Sequence, residues 1–282
     1  MEYVKLGNTG MEVSKLCLGC MGFGEPERGR EKWSIGEAES REVIKKALDS
    51  GINFFDTANL YSAGSSEEIV GKALKDFANR DEIVLASKLY FPMFDGPNAK
   101  GLSRKSIFAE IDHSLKRLQT DYLDLYIIHR WDYGTPIEET MEALHDLVKM
   151  GKVRYIGASS MHAWQFAKAQ FIAEKNGWTK FVSMQNLYNL LYREEEREMI
   201  PLLQDQKVAM TPWSPLAGGR LTRDIGAITA RASQAVQADL PAYIVASDNE
   251  VISRVHKLAD ERGITRGQVA TAWMLSKDYV TA

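Results

Sequence analysis

Two rhythms of apolar and polar residues alternate along the chain from residue 16 onward. Short runs rich in Val, Ile, Leu, Phe and Tyr predict β-strands, and longer stretches with apolar residues every three or four positions predict α-helices. Helices are predicted over residues 34–51, 65–78, 104–118, 136–151, 162–177 and 195–206. Seven strands are predicted, six of them followed at once by a helix: 16–20, 52–56, 82–88, 122–129, 152–160, 181–189 and 207–215.

This alternation predicts a parallel sheet covered on both faces, because its strands are apolar throughout. An open, doubly wound sheet would need a G-x-G-x-x-G turn after the first strand, and GCMGFG (19–24) does not match that spacing. No Walker sequence is present either. The strand count favours a closed α/β fold, the (β/α)8 or TIM barrel, with YVTA (279–282) as the start of its eighth strand.

The two ends of the chain add further expectations. YVKLGNTGMEV (3–13) alternates apolar and polar residues around Asn8-Thr9-Gly10, which predicts a β-hairpin that plugs the N-terminal end of the barrel. Residues 1–282 are expected to form a single domain that lacks the rest of the eighth strand and the eighth helix, so the protein is expected to be longer. Residues 220–249 are weakly periodic and are predicted to form a lid-like or mobile loop.

Composition excludes several classes of function. The 282 residues are 45% hydrophobic and 26% charged with a net charge of −3, so nothing indicates binding to nucleic acid or to an anionic membrane. We find no membrane span and no signal peptide, and we expect a cytoplasmic protein. Cys17 and Cys20 have a C-x-x-C spacing, but there is no second ligand pair for zinc. We predict two buried structural thiols and no metal.

Reactive side chains stand where consecutive predicted strands end. Asp56 ends the second strand with Tyr61 five residues later, Lys88 ends the third, and His129 ends the fourth. Taken singly, each has an ordinary explanation as a helix cap, a packing residue, a solvated amine or a core histidine. Together they predict a common site, because the active sites of (β/α) barrels lie at the C-terminal ends of the strands.

This set of side chains suits the reduction of a carbonyl group. Asp56 keeps Lys88 charged, and that charge is expected to lower the pKa of the Tyr61 phenol from about 10 towards neutrality. Tyr61 can then donate a proton to the developing alkoxide while His129 orients the carbonyl oxygen. No side chain supplies hydride, so a nicotinamide cofactor is required.

The later strand ends carry groups that suit such a cofactor. Ser159 and Gln185 can bond a carboxamide, and Trp213 offers a flat face for stacking on the ring. SPLAGGRLT (214–222) offers backbone N–H groups, two adjacent glycines and the guanidinium of Arg220 for a diphosphate, although an ordinary glycine turn is an alternative explanation.

Six stretches, in this order, resemble the aldo-keto reductases over essentially the whole chain: FFDTANLYSAGSSEEIVGKAL, IVLASK, LDLYIIHRWD, GKVRYIGASS, MQNLYN and PWSPLAGGRLT. The resemblance implies NADPH-dependent reduction of aldehydes and ketones, with Tyr61 as general acid, Lys88 and Asp56 as its tuning pair, and His129 orienting the substrate. Its implied cofactor-binding residues are Gly19, Cys20, Met21, Ser159, Ser160 or Asn186, Gln185, Trp213, Ser214, Pro215, Leu216, Gly218 and Arg220. It also suggests Trp33, Tyr90 and Trp131 at the substrate mouth.

The resemblance leaves alternatives open. NADPH, as opposed to NADH, rests on the family alone, because the loop that holds the adenosine 2′-phosphate in relatives lies beyond the position of Thr281. Some relatives are NADPH-binding regulatory subunits of membrane channels, but these carry long N-terminal extensions, whereas this chain enters its hairpin at residue 3. A Schiff-base aldolase would need a neutral Lys88, which Asp56 disfavours. The substrate is a small aldehyde or ketone that the sequence does not specify further, nor does it specify the oligomeric state.

Overall fold

Seven parallel strands form one curled sheet in chain order. A computed structural model describes residues 1–227 and 247–282. Neighbouring strands pair in parallel along the whole sheet, for example Phe54 with Val84 and Asp56 with Ala86. The strands are β3 (Cys17–Gly19), β4 (Phe54–Asp56), β5 (Val84–Leu89), β6 (Leu123–Ile128), β7 (Val153–Ser159), β8 (Ser183–Gln185) and β9 (Ala209–Met210), following the hairpin strands β1 (Tyr3–Lys5) and β2 (Glu12–Ser14).

Helices follow the strands, and the six predicted from periodicity are confirmed. Local signals set their ends: Ser103 caps α3 by accepting the Ser106 N–H, and Pro136 stands immediately before α4. The helices are α1 (Glu37–Asp49), α2 (Ser65–Phe77), α3 (Arg104–Leu118), α4 (Ile137–Lys149), α5 (Ala163–Asn176), α6 (Met199–Gln206), α7 (Asp248–Arg262) and α8 (Arg266–Leu275).

The inner face of the sheet begins with an apolar layer that the hairpin covers. β1 and β2 pair antiparallel through Tyr3 with Ser14 and Val4 with Val13, which confirms the predicted hairpin. Leu6 and Val13 are fully buried in one cluster with Phe54 and the inward residues of the neighbouring strands. A second, larger cluster lies between the sheet and its helices. The hairpin therefore closes the N-terminal end of the barrel, as predicted.

The structure agrees with a (β/α)8 barrel, of which residues 1–227 and 247–282 form seven strands. The Thr281 N–H donates to the Met210 carbonyl at 2.8 Å, so the segment predicted to begin the eighth strand lies against β9. β8 and β9 are shorter than predicted, since regular pairing ends at Gln185 and Met210 and beyond them only Leu187 and Trp213 form a parallel bridge.

The last third of the chain departs most from its sequence prediction. Two helices, α7 and α8, were not predicted, and α7 begins inside the predicted loop 220–249. The greater part of that loop, residues 228–246, lies outside the described residues. No helix in the described ranges is long and apolar enough to cross a membrane.

Candidate active site

The four predicted reactive residues meet at the C-terminal end of the sheet. Asp56 is the last residue of β4, Lys88 is the penultimate residue of β5, and His129 directly follows β6. Tyr61 lies in the turn between β4 and α2. All four side chains are buried. Because β4, β5 and β6 pair in parallel, the residues at their C-terminal ends lie close together, as the strand-end pattern predicts.

Lys88 is the hub of the cluster. Its Nζ donates to the Asp56 carboxylate in a short ion pair, to the Thr57 carbonyl at 2.8 Å and to the Tyr61 hydroxyl at 3.3 Å. These three acceptors match the three N–H donors of an ammonium group. The second Asp56 oxygen accepts from Gln185 Nε2 at 3.0 Å, so side chains of two other strands, β5 and β8, hold the carboxylate.

The environment keeps Lys88 protonated. Burial by itself lowers the pKa of the amine, but the charge of Asp56 and the Tyr61 hydroxyl outweigh burial and raise the pKa of Lys88 above its ordinary value. The lysine is therefore a fixed positive charge at neutral pH. This argues against the aldolase alternative, which needs a neutral amine as nucleophile.

The pKa of Tyr61 differs from its prediction. Lys88 does lower it, as expected, but burial acts more strongly in the opposite direction and Asp56 adds to burial, so the pKa of Tyr61 is raised above 10.0. The expected net fall towards neutrality is wrong because a sequence does not show how deeply a phenol is buried. Tyr61 is consequently protonated through the neutral range, the form in which it can give a proton.

His129 stands beside the phenol as a neutral imidazole. Burial, and then the charges of Lys88 and Arg130, lower the pKa of His129 well below 6.5. Its ring meets that of Tyr61 edge-on at 5.9 Å between centroids and that of Phe91 at 5.0 Å. Within the described ranges, His129 Nδ1 is buried without a hydrogen-bond partner. One polar atom at the site is thus not satisfied by the fold.

A cavity of about 590 Å³ opens above the cluster. Asp56, Tyr61 and His129 contribute to its wall. Most of the predicted cofactor-binding residues also line it: Gly19, Met21, Ser159, Gln185, Trp213, Ser214, Pro215, Leu216 and Gly218. The end of β4 and the segments that follow β4 and β6 thus contribute the reactive groups to the wall, and most of the predicted cofactor-binding residues on it come from the ends of β7, β8 and β9 or shortly after them.

Four of the predicted cofactor-binding residues are not on the cavity wall. Cys20 is fully buried in the cluster between sheet and helices, on the opposite side of the strand. Ser160 accepts from Trp213 Nε1 at 3.1 Å, and Asn186 Oδ1 accepts from the Ser160 N–H at 2.9 Å. These two residues therefore support Trp213 through hydrogen bonds without lining the cavity themselves. Arg220 pairs with Asp248 at 2.9 Å.

The loop after Trp213 is tightly folded. Ser214, Ala217, Gly218 and Gly219 have positive φ angles, which accounts for the paired glycines. The loop itself uses its backbone donors, since the N–H groups of residues 217 and 219–222 bond to carbonyls within it and that of Gly218 bonds to the Ser214 hydroxyl. Its proposed role as a diphosphate cradle therefore stays a prediction.

The substrate side of the cavity is partly as expected. Trp33 lines the wall, whereas Tyr90 and Trp131 do not. Phe91, Leu60 and Arg130 line it and were not singled out as site residues. The guanidinium of Arg130 lies 5.4 Å from the Phe91 ring centroid and donates to the His129 carbonyl at 2.7 Å. Phe91 and Arg130 could have been found in the sequence because each lies two residues after the end of a strand, β5 or β6.

Cys17 and Cys20 form no disulfide with each other. Both are free thiols; Cys20 is buried and Cys17 partly so. Burial, followed by the charge of Asp56, raises the pKa of both thiols above the ordinary value. In the part of the chain that the structure describes, no three His, Cys, Asp or Glu side chains are grouped to hold a metal ion.

Comparison with known proteins agrees with this geometry. The model of the aldo/keto reductase family matches residues 15–282. The chain belongs to that family. Versiconal hemiacetal acetate reductase of Aspergillus parasiticus is 47% identical, with 98% of this chain and 86% of that protein covered. An aldo-keto reductase of Alternaria alternata, AMT2, is 45% identical, with 96% and 80% covered. A Schizosaccharomyces pombe protein, named as a candidate aryl-alcohol dehydrogenase, is 46% identical, with 98% and 86% covered.

Membership of the aldo/keto reductases establishes the general chemistry. The chain is an oxidoreductase of a family that acts on small carbonyl compounds and generally uses a nicotinamide cofactor. The positions of the four reactive residues in the barrel are consistent with that chemistry.

Proposed function

We propose that this aldo/keto reductase reduces aldehydes or ketones to alcohols with NADPH, and that Tyr61 is the general acid. The observation that supports this most strongly is the position of Lys88 Nζ, which bonds both the Asp56 carboxylate and the Tyr61 hydroxyl at the edge of a cavity. NADPH in preference to NADH is proposed on family membership, as is a single domain over residues 1–282.

The proton transfer depends on the buried ion pair. As negative charge develops on the carbonyl oxygen, Tyr61 donates its hydroxyl proton to that oxygen. The phenolate that remains lies 3.3 Å from a lysine that is permanently charged, so Lys88 stabilises the anion at the moment it forms. Asp56 contributes indirectly, since it keeps the ammonium charged and fixed in place.

His129 is proposed to orient the carbonyl group. Its neutral ring can donate one N–H to the carbonyl oxygen without competing as an acid, because its low pKa keeps it uncharged at neutral pH. The aromatic rings of Trp33 and Phe91 border the cavity, which favours carbonyl compounds with an apolar or aromatic substituent.

The cavity residues suit a nicotinamide cofactor. Ser159 and Gln185 would hold its carboxamide, Trp213 would contact the ring, and residues 214–220 would face the diphosphate. Two buried polar atoms of the wall, His129 Nδ1 and Thr211 Oγ1, have no partner within the described ranges, and the cavity volume lies within the usual range for ligand sites. When bound, the nicotinamide supplies the hydride that no side chain can provide.

Replacing Tyr61 by Phe tests the proposal. We expect kcat for a nitrobenzaldehyde with NADPH to fall about 100-fold or more, because the proton donor is lost while the packing stays. NADPH affinity, measured by fluorescence titration alongside NADH, should stay within about twofold. Undiminished turnover in Y61F would contradict the assignment of Tyr61. A wild-type protein that binds NADPH but shows negligible turnover over a panel of aldehydes would favour the regulatory-subunit alternative.

A further inference from the structure

The backbone that carries Tyr61 has an uncommon shape. Directly after Tyr61, three consecutive residues have positive φ angles: 45° at Ser62, 51° at Ala63 and 89° at Gly64. L-amino acids rarely adopt this left-handed region, and such stretches persist only when surrounding contacts impose them. The contacts that impose it therefore determine where the Tyr61 hydroxyl lies.

Two of those contacts come from one segment, the loop between β3 and α1. Glu31 Oε2 accepts the Ser62 N–H at 3.0 Å. Arg28 Nη2 donates to the Ala63 carbonyl at 3.3 Å, and the same guanidinium pairs with Glu68 in the first turn of α2 at 2.7 Å. The turn is thus bonded to this loop at two successive residues.

The loop also approaches the turn closely. A Cβ built on Gly29 would lie 2.4 Å from the Ser62 Cα and 3.0 Å from Glu31 Oε2, so only a glycine fits there. Glu31 is 3% exposed, although it belongs to a loop whose neighbour Arg30 is exposed. A carboxylate is costly to bury without a bonding partner. The Ser62 N–H supplies such a partner for the buried Glu31 carboxylate.

We propose that Glu31 is a positioning residue for Tyr61: by accepting the Ser62 N–H, it holds the left-handed turn that sets the phenol against Lys88. This inference rests on the proposed function of Tyr61 as general acid. Glu31 also lines the cavity, so the loop between β3 and α1 both forms part of the wall and holds the acid in place.

Two conservative variants separate a hydrogen bond from a charge. Glu31→Gln keeps an acceptor oxygen at the same distance and loses the charge, while Glu31→Asp keeps the charge and withdraws the oxygen by one methylene. If the hydrogen bond to Ser62 matters, kcat of E31Q should stay within about threefold of wild type. E31D and E31A should lose about 10-fold to 100-fold in kcat, because the acid is misplaced. An activity order with Asp above Gln would overturn the proposal.

A double-mutant cycle with Y61F identifies the residue through which Glu31 acts. If Glu31 works only by placing the phenol, E31D should cost kcat in wild type and nothing further in the Y61F background, with residual turnover measured at high enzyme concentration. NADPH affinity should be unchanged in every variant. An equal loss in both backgrounds would contradict the positioning role. Full activity of Y61F would instead refute the proposed function, so the two failures are distinguishable.

Asp124 provides the matched control. It is also a largely buried carboxylate that accepts a backbone N–H, that of Leu85 at 2.9 Å, and it pairs in addition with Arg80 at 2.7 Å; it lies near the N-terminal end of β6, away from the cavity. Asp124→Ala should lower the thermal unfolding midpoint and leave kcat within about twofold. If D124A reduced kcat as much as E31D, loss of a buried carboxylate would explain both variants, and the specific role of Glu31 would be rejected.

Discussion

The N-terminal and C-terminal ends of the inner sheet face are built by the same strands, only a few residues apart. β4 places Phe54 in the apolar cluster under the hairpin and Asp56 in the ion pair with Lys88. β5 begins with Val84 in that cluster and carries Lys88 at its other end. β6 repeats the pattern, from an apolar inward residue to the histidine that follows it.

The difference shows how one strand can carry two tasks. Side chains separated by two residues point the same way, so successive inward positions climb from the hairpin to the cavity. The lower positions are satisfied by apolar contact alone. The upper positions are polar, and Lys88 is bonded there to three specific partners, Asp56, Thr57 and Tyr61. Substitutions at the two ends should therefore fail in different ways.

The largest effect is expected at the upper end, from Lys88→Met. Removing the ammonium leaves the phenolate without its counter-charge, and we expect kcat to fall about 1000-fold. It also leaves Asp56 as an unpaired buried carboxylate, which should cost about 3–5 kcal/mol of unfolding free energy. Steady-state kinetics and urea unfolding measure the two losses.

A second variant separates these two losses. D56N/K88M should recover part of the stability and none of the activity, because no uncompensated charge then remains. Lys72→Met is the matched control, since Lys72 forms an exposed pair with Glu37 at 3.0 Å and should change neither quantity appreciably. Retained turnover in K88M would contradict the view that the cavity end of the strands carries groups needed for activity.

At the lower end, Phe54→Ala should do the reverse. The fully buried ring packs under the hairpin, so its loss should cost about 3–5 kcal/mol of unfolding free energy, while kcat stays within about twofold at a temperature where the variant is folded. Phe171→Ala on α5 removes an exposed ring and should cost about 0.5 kcal/mol or less. A large fall in kcat for folded F54A would contradict the division.

The smallest expected effect is a pH dependence of the unfolding free energy, which comes from His129 at the cavity end of the strands. The pKa of His129 is depressed in the folded protein, so the unfolded chain binds a proton that the folded one does not. Its contribution to stability is present above about pH 6.5 and is lost as the pH falls below that value, by up to about 1.4 kcal/mol per pH unit. H129Q should flatten this part of the curve of unfolding free energy against pH. Parallel curves for H129Q and wild type would contradict it.

Three of the four reactive residues could be predicted from the sequence because strand ends are visible as breaks in an apolar run. Asp56, Lys88 and His129 each interrupt such a run, and parallel pairing then dictates that they meet. The same reasoning located the hairpin, whose alternation and turn are local signals. These features depend on neighbours in sequence, which is why they could be predicted.

Quantities that depend on distant neighbours could not be predicted. The pKa of Tyr61 follows from burial that periodicity does not reveal. Cys20 is next to Gly19 and Met21 in sequence but points away from the cavity, because alternate residues of an extended segment face opposite sides. The hydrogen bond from the Ser62 N–H to Glu31 joins residues 31 positions apart that share no sequence motif. Such contacts become visible only in three dimensions.

The hydrogen bond from Gln185 to Asp56 has a consequence for how the site forms as the chain folds. It joins residues 129 positions apart, so it exists only once the chain between them has closed into a curved sheet. Bringing such distant residues together costs loop-closure entropy, which grows slowly with the length of the intervening chain. The carboxylate that steadies Lys88 is therefore fully fixed only when β8 has joined the sheet. A nascent chain that has not yet emerged as far as Gln185 lacks this contact, however much of its earlier structure has formed.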